Sequence, residues 1–206
     1  MVRIWMNHWF STAYNIVNLI KQDDPEFFVI GSNENVSSPI RTVCDEWYHE
    51  PTLKDDTYVD YCVEFCREHY VDVFLPRRGM LDISKHIQRF ASIGTKVSGI
   101  IMIPRVKGAT RVEAIRYNPD ILATCQRFFE RIPLEMPCNI QFKYLEGIPY
   151  MLEVNTRMSG GVQMACLGSG INIPNIAVNK LLGIDKHWTN NYEEKQVSHI
   201  EIPVVI

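Results

Sequence analysis

The sequence predicts an α/β protein in which a small parallel sheet with flanking helices is followed by an antiparallel sheet backed by helices. Strand and helix signals alternate through the first hundred residues, which favours parallel strands joined by right-handed crossovers. In the second half, neighbouring β-like runs are joined by short turns, which favours antiparallel pairing. Since the sheet type changes near residue 97, we predict two domains, 1–97 and 98–206.

Short apolar runs and apolar residues at helical spacing mark the elements of the first domain. The predicted strands are 2–6, 27–30 and 71–75, and the predicted helices are 12–21, 57–70 and 83–93. Asp23-Asp24-Pro25 ends the first helix and Gly94 ends the third. The elements therefore follow one another as strand, helix, strand and helix.

The second domain has more strands. The predicted strands are 98–104, 111–117, 139–144, 150–155 and 197–206, and the predicted helices are 119–131, 162–167 and 174–182. Asn118 is a candidate N-cap, and Pro119 suits the first turn of its helix. The runs 139–144 and 150–155 flank Glu146-Gly147-Ile148-Pro149, which predicts a hairpin.

Composition excludes several classes of function. Lys and Arg number 21 and Asp and Glu 24, so the net charge of −3 leaves no basic footprint for nucleic acid or anionic lipid. No apolar run approaches the roughly 18 residues that span a bilayer. The first ten residues hold no apolar h-region, and the six cysteines form no C-x-x-C pair. We therefore expect a cytoplasmic protein with reduced thiols.

The hairpin carries the most informative polar residues. Alternation along two neighbouring strands brings Gln141, Glu153 and Asn155 within reach of one another, and Arg157 continues that spacing. These oxygen donors suit Mg²⁺, which binds one or two carboxylates together with substrate phosphates. An arginine beside the ion can clamp a phosphate. The following bend, 159–161, offers backbone N–H groups to an anion at the start of a helix.

A structural explanation competes with the metal site. Polar residues that alternate along a hairpin usually form its solvated face. Leu152 and Val154 are apolar and predict that the other face of the strand packs on a core. The strand then runs into the serine-glycine bend, which favours the functional interpretation.

Three segments of the second half together resemble one enzyme family. They are 139–141 (NIQ), 151–161 (MLEVNTRMSGG) and 170–174 (GINIP). This pattern is similar to the C-terminal part of ATP-grasp enzymes, especially relatives of the large chain of carbamoyl-phosphate synthetase. The first half resembles the small α/β domain that precedes the nucleotide-binding part of that family.

The resemblance implies roles for the hairpin residues. It implies that Gln141, Glu153 and Asn155 hold the magnesium ions that bridge ATP phosphates, and that Arg157 lies near the transferred phosphate. Together with the bend residues Ser159 and Gly160, these residues form the expected cofactor-binding set, and Arg157 is the expected catalytic residue. The implied cofactors are ATP and Mg²⁺, with Mn²⁺ as an alternative ion.

The implied reaction joins two small molecules. A substrate carboxylate attacks the γ-phosphate to give an acyl phosphate, and an amine or thiol then displaces phosphate. The chain departs from the family because Lys96-Val97 runs directly into Ser98-Gly99-Ile100, without the long segment that supplies phosphate-binding lysines, an adenine-reading hinge and a flap. The alternative is a non-catalytic remnant that acts as a binding or interaction module. Apolar surface left by the missing segment predicts a homodimer or a larger assembly.

Two further groups of polar residues can each be interpreted either as a functional site or as ordinary structure. Arg77-Arg78 follows a strand end, where open α/β sheets bind ligands, but it also suits a solvated turn; Asn7 and His8 belong to the same edge. Cys62, Cys66 and His69 have the spacing of soft metal ligands, but cysteines on an apolar helix face are more typical of a core.

Overall fold

The computed structural model describes residues 1–8, 11–53, 55–98, 112–134, 136–158, 160–189, 193–199, 203 and 205. These residues form two compact units. The first contains 1–98 and 174–186 with residues 203 and 205, and the second contains the described residues of 112–173 and 187–199. Residues 174–186 thus pack with the N-terminal residues, and the division into domains 1–97 and 98–206 stays a prediction.

The described elements follow the chain in mixed α/β order. The strands are β1 (Arg3–Met6), β2 (Phe28–Asn33), β3 (Glu46–His49), β4 (Val73–Leu75), β5 (Lys96–Val97), β6 (Val112–Ile115), β7 (Asn139–Leu145), β8 (Ile148–Asn155) and β9 (Lys195–Ser198). The helices are α1 (Ser11–Asp23), α2 (Asp55–Glu68), α3 (Met80–Lys85), α4 (Ile87–Ala91), α5 (Pro119–Arg131), α6 (Val162–Ser169) and α7 (Ile173–Leu182), with a 3-10 turn at Pro39–Thr42. None of the described helices is long and apolar enough to cross a membrane.

The first unit is built on a parallel sheet of five strands in the order β3-β2-β1-β4-β5. The predicted fold class is confirmed. β1 lies at the centre, and the chain adds strands first on one side of it and then on the other. The carboxyl ends of β1 and β4 therefore lie side by side at the topological switch point, where open α/β sheets bind ligands.

Aromatic and aliphatic side chains fill the core of the first unit. The Trp5 ring stacks on the Phe74 ring at a centroid distance of 4.0 Å. The apolar face of α2, predicted from its spacing, is buried at Val59, Cys62 and Cys66. Burial raises the pKa of the Cys66 thiol to about 12, so the cysteines of this face are core residues and poor nucleophiles.

The predicted helix 83–93 is wrong, because the chain forms two short helices that meet at His86 (φ −116°, ψ 20°). The His86 N–H donates to the Ile83 carbonyl, while its ring Nδ1 lies 2.9 Å from the Asp82 carbonyl. In a continuous α-helix the Asp82 carbonyl would accept from the His86 N–H itself, so the ring takes the place of that backbone donor where the ladder breaks. Gly79 precedes α3 at φ +63°, where a Cβ would lie 2.6 Å from the Tyr58 ring.

The second unit contains two antiparallel pairs among its described residues, β6 with β9 and β7 with β8. Helix α5 begins as predicted, because Asn118 Oδ1 accepts a hydrogen bond from the Ile121 N–H at 3.0 Å. The hairpin turn is shorter than predicted. Glu146 (φ 51°) and Gly147 (φ 80°) form a two-residue loop, whose twist matches the flanking strands.

Three of the predicted strands lie partly outside the described residues. The predicted strand 98–104 lies outside the described residues except for Ser98. Within the predicted strand 111–117, the structure forms β6 (Val112–Ile115). The strand predicted over 197–206 overlaps β9 only at its first two residues, because β9 begins at Lys195 and ends at Ser198. Residue 199 and the few later described residues are not in a strand.

A polar cluster holds α7 in the first unit. Asn175 and Asn179 donate from their amide nitrogens to Asp24 Oδ2, at 2.9 and 2.7 Å. Lys186 Nζ donates to Asp24 Oδ1 at 2.9 Å, and Asn175 also donates to the Ile20 carbonyl. Asp24, which was predicted only as a helix stop, thus joins the end of α1 to a helix about 150 residues later in the chain.

Candidate functional site

The hairpin brings the predicted oxygen donors together on one face. Gln141 of β7 lies directly opposite Glu153 of β8, and Asn139 lies opposite Asn155. Side chains of directly opposed residues share a face, with Cβ atoms about 5 Å apart. The Asn155 amide donates from Nδ2 to Glu153 Oε1 at 2.6 Å. The structure therefore places Gln141, Glu153 and Asn155 as one group, as their spacing predicted.

A β-bulge changes the face of one neighbour. The pairing shifts between Gln141 and Phe142, so that Phe142 lies opposite Met151 and Leu152 has no partner in the ladder. Leu152 is 61% exposed, whereas Val154 is 6% exposed. The expectation that both pack on a core is wrong for Leu152, because the extra residue at a bulge breaks the alternation of faces.

Exposure within the donor group is graded. Asn155 is buried, Glu153 is half-buried and Gln141 is exposed. The innermost side chain is the Asn155 amide, whose Nδ2 already donates a hydrogen bond to the Glu153 carboxylate. The outermost group lies where a ligand arriving from solvent meets it first.

The donor group fits a hard divalent cation. Two oxygen ligands of one Mg²⁺ lie about 3 Å apart, because each lies about 2.1 Å from the ion at a right angle. The 2.6 Å contact between Asn155 and Glu153 already meets that separation, and a half-turn of the amide presents its oxygen instead of its nitrogen. Among the described residues, no three His, Cys, Asp or Glu side chains come together as a metal-binding group.

Arg157 lies beyond the strand rather than on it. β8 ends at Asn155, and the Arg157 N–H donates to the Asn155 carbonyl at 2.8 Å, which turns the chain immediately after the donor group. Arg157 is half-buried, and Thr156 between them is buried. The expected continuation of the strand spacing to Arg157 is therefore wrong, although the turn keeps Arg157 next to Asn155.

The glycine bend leads into α6. Gly160 is exposed in a turn, and Gly161 precedes the helix without a side-chain cap. The Gly161 carbonyl accepts from the Ala165 N–H at 3.0 Å. Ser159 lies outside the described residues. Uncapped N–H groups at the start of α6 are donors of the kind that bind phosphate oxygens.

A second polar cluster closes the switch point of the parallel sheet. Asn7 follows β1, and its Oδ1 accepts from the backbone N–H groups of Arg77 and Arg78 at 2.5 and 3.3 Å. Its Nδ2 donates to the Tyr58 hydroxyl at 2.7 Å. These N–H groups are therefore occupied by the protein itself, at the position where sheets of this type usually bind ligands.

The charge of Arg78 is balanced within the same cluster. Its guanidinium bonds Glu34 at 2.6 Å and Glu50 at 3.3 Å, and it lies over the Tyr58 ring at 4.3 Å. Glu50 is fully buried and also accepts from Ser32 Oγ at 2.5 Å. The sequence did not indicate Glu50, because a single acid after a polar strand has no distinguishing pattern. These contacts give Arg78 a structural role, which is neither the ligand site nor the solvated turn that the sequence suggested.

Comparisons with known proteins identify the family. The family described as "ATP-grasp in the biosynthetic pathway with Ter operon" matches residues 92–203, which is more than half of the chain. The carbamoyl phosphate synthase large chain of Methanocorpusculum labreanum is 30% identical over 93 residues, which cover 43% of this chain and 9% of that protein. The chain therefore spans only a small part of this relative.

Solved structures share the fold at low identity. The Kluyveromyces lactis urea amidolyase matches 90% of this chain and 15% of its own, with a TM-score of 0.71 and 10% identity. The biotin carboxylase domain of the Hydrogenobacter thermophilus 2-oxoglutarate carboxylase, solved with MgADP, ADP and bicarbonate, matches 91% of this chain and 71% of its own, with a TM-score of 0.66 and 10% identity. The strand pairing, the position of the donor group and the family match agree, and the chain belongs to the ATP-grasp family.

Proposed function

We propose that this chain carries the metal- and phosphate-binding hairpin of an ATP- and Mg²⁺-dependent ligase that joins a small-molecule carboxylate to an amine or thiol. The observation that carries the proposal is the donor group, in which Gln141 lies opposite Glu153 and Asn155 is bonded to Glu153 at 2.6 Å. Membership of the ATP-grasp family supports it. The MgADP in one structural neighbour supports the choice of cofactor.

Each residue of the hairpin has a proposed task. Glu153 supplies the one carboxylate of the metal site, Asn155 orients that carboxylate, and Gln141 adds an amide oxygen from the opposite strand. Bound there, Mg²⁺ supplies charge neutralisation to the phosphate oxygens. Arg157 follows the metal ligands by two residues and offers a guanidinium to the transferred phosphate. Gly160 offers close backbone approach at the start of α6.

The chemistry needs no protein nucleophile. Attack by a substrate carboxylate on the γ-phosphate forms the new P–O bond and releases ADP, and an amine or thiol then displaces phosphate from the acyl phosphate. Electrostatic stabilisation and positioning are the protein's contributions to such a transfer. The buried cysteines of α2 are consistent with this, because burial raises the pKa of the Cys66 thiol far above neutrality.

The test measures ADP formation by the purified chain with Mg²⁺, with and without candidate carboxylate and amine substrates. The ligase proposal predicts turnover that requires both substrates and is lost in Glu153→Gln, while the exposed turn variant Glu146→Gln keeps the parent rate. Magnesium-dependent ATP binding without turnover would instead support the non-catalytic binding module. Absence of any magnesium-dependent nucleotide binding would contradict the site itself.

A further inference from the structure

Asn139 is a fourth polar residue at the end of the β7–β8 hairpin away from its turn. It lies directly opposite Asn155, and the next residue pair on the same face is Gln141 with Glu153. Asn139 begins β7 and Asn155 ends β8, so their pair is the last of the ladder. The tasks proposed above use the other three residues of this group and leave Asn139 without one.

From this placement we infer that Asn139 is a positioning residue of the metal site, which accepts a hydrogen bond from the Asn155 amide when a divalent cation is bound. The role of Asn139 rests on the proposed function, because it concerns the same cation. Asn139 makes no contact with the ion in this arrangement. It acts through Asn155, whose amide orientation it stabilises.

The Asn155 amide presents its nitrogen to the neighbouring carboxylate, with Nδ2 2.6 Å from Glu153 Oε1. An ionised carboxylate offers only acceptors, so this is the orientation that the two side chains adopt by themselves. A divalent cation reverses the demand, because it is bound by oxygen. When Asn155 turns its amide oxygen to a cation, its nitrogen no longer donates to Glu153.

The displaced Asn155 nitrogen then needs another acceptor. Asn155 is buried, and a buried donor without a partner is unfavourable. Directly opposed residues have Cβ atoms about 5 Å apart, which suits a hydrogen bond between two amide side chains, whereas a diagonal neighbour such as Gln141 lies roughly 7 Å away. Asn139 is half-buried and directly opposed. Its Oδ1 is therefore the side-chain acceptor that the strand register favours.

This exchange makes Asn139 matter only when the cation is bound. Without the cation, Asn155 donates to Glu153, so the stability of the hairpin does not depend on Asn139. With the cation, a residue that lacks the acceptor leaves the Asn155 nitrogen without a partner and weakens binding. Loss of a residue that orients a metal ligand typically lowers metal affinity about tenfold or more.

Electron paramagnetic resonance of free Mn²⁺, titrated against the purified chain, measures the affinity for the metal alone. Asn139→Leu keeps a similar size but removes the acceptor, and it should raise the Mn²⁺ dissociation constant about tenfold while its melting temperature without metal matches the parent chain. Asn139→Asp keeps the acceptor and should bind at least as tightly as the parent chain. Tyr150→Leu is the control, because Tyr150 lies on the same face but opposite Lys143, and it should leave the affinity unchanged.

A double-mutant cycle separates positioning from direct ligation. Asn155→Asp supplies an oxygen to the cation but has no amide hydrogen, so the acceptor is no longer needed. In that background, Asn139→Leu should weaken Mn²⁺ binding by less than about twofold. A tenfold loss in both backgrounds would make Asn139 a ligand itself and would overturn its role as a positioning residue. A lower melting temperature of Asn139→Leu without metal would overturn it as well.

The role of Asn139 and the metal site fail in different ways. If Glu153→Gln weakens Mn²⁺ binding and Asn139→Leu does not, the site stands and the role of Asn139 is wrong. If the parent chain binds no Mn²⁺, both are overturned. Weaker binding in both single variants, with the loss for Asn139→Leu confined to the chain that has Asn155, is the result expected.

Discussion

The Asn155 side chain donates its amide hydrogen to the Glu153 carboxylate across 2.6 Å, two residues away on the same strand. Residues separated by two on a strand share a face, and this hydrogen bond shows that their polar ends meet. Asn155 is buried while Glu153 is half-buried, so the amide holds the carboxylate at the edge of solvent. This arrangement is suited to a group that must change partners when a cation arrives.

We expect the chain to bind MgATP weakly and through Glu153. The donor group and Arg157 can hold the terminal phosphates, but the sequence contains no evident replacement for lysines on the inner phosphates. Each charge-assisted hydrogen bond that is missing costs about 1.5–3 kcal/mol, so two missing bonds weaken binding roughly a hundredfold or more. Calorimetric titration should therefore give a dissociation constant well above the micromolar range, and Glu153→Gln should weaken it at least tenfold further.

The control for this titration is Glu146→Gln, which removes an exposed carboxylate from the turn of the same hairpin and should leave affinity unchanged. A micromolar dissociation constant in the parent chain would show that a further part of the chain holds the nucleotide. Equal affinity for the parent chain and a folded Glu153→Gln variant would remove Glu153 from the metal site.

Replacing Asn155 by aspartate should make the hairpin respond to magnesium. Asn155→Asp puts a second carboxylate about 2.6 Å from Glu153, where the two negative charges repel in a half-buried position. Without metal the variant should melt several degrees lower than the parent chain, and Mg²⁺ should restore most of that difference because a cation neutralises the pair. Thermal melts with and without Mg²⁺ measure the effect. If Mg²⁺ and Na⁺ at equal ionic strength restore the variant equally, no ion is bound there.

Local signals explain how much of this fold was predictable. Helix α5 was predicted at its observed bounds, because Asn118 and Pro119 fix its start within the sequence itself. Strand β3 was not predicted, because Glu46–His49 has no apolar run and is placed by pairing with β2. The Asp45 carboxylate also accepts from the Val29 N–H at 2.7 Å, a contact between residues that no sequence pattern relates.

The candidate site was predictable to the extent that it is a short hairpin. Alternation and a small loop determine that Gln141 and Glu153 share a face, and the register agrees. The bulge at Leu152 depends on which pairing the two strands prefer once they meet, and it was not predicted. Contacts between distant segments, such as Asp24 with Asn175, leave no periodic signal in the chain.

Glu50 should be among the most sensitive single positions of the first unit. It is fully buried, and it accepts from Ser32, from the Tyr58 hydroxyl at 3.1 Å and from Arg78. Glu50→Ala leaves the buried Ser32 and Tyr58 hydroxyls without their acceptor, at about 1–3 kcal/mol for each, so it should lower the free energy of unfolding by about 2–5 kcal/mol. Urea unfolding measures it. The exposed Glu64→Ala, on α2, should stay within about 0.5 kcal/mol of the parent chain, and equal losses for both variants would contradict the network.

Thiol labelling should separate the buried cysteines from the others. Cys62 and Cys66 are buried on α2, and burial raises the pKa of both thiols, to about 12 for Cys66. Cys125 and Cys138 are half-buried. Because the thiolate is the reactive form, an aromatic disulfide reagent should label the native chain without reaching Cys62 or Cys66. Cys66→Ala should lower the number of thiols labelled in urea by one and leave the number labelled in the native chain unchanged. A lower number in the native chain would place Cys66 at the surface.

Asp24 should make stability depend on pH in the acid range. Burial pushes the pKa of Asp24 up, but hydrogen bonds from Lys186, Asn179 and Asn175, together with the charge of Lys186, outweigh it and lower that pKa. An aspartate with a lowered folded-state pKa contributes stability that is complete above its unfolded pKa of about 3.9 and is lost as the pH falls through the folded value. Urea unfolding from pH 7 down to about pH 3 should therefore show a loss of stability that begins near pH 4.

The Asp24→Asn variant isolates this contribution. Its side chain has nearly the same shape, but it cannot carry the charge that Lys186 and the two asparagine amides meet, so it should be less stable than the parent chain by about 2 kcal/mol at neutral pH. The difference between the two chains should shrink as the pH falls below about 4, because protonation removes the same charge from Asp24. Glu26→Gln, an exposed acid two residues along, should follow the parent curve. A constant difference between parent and Asp24→Asn at every pH would show that the cluster stabilises α7 through shape rather than through the Asp24 charge.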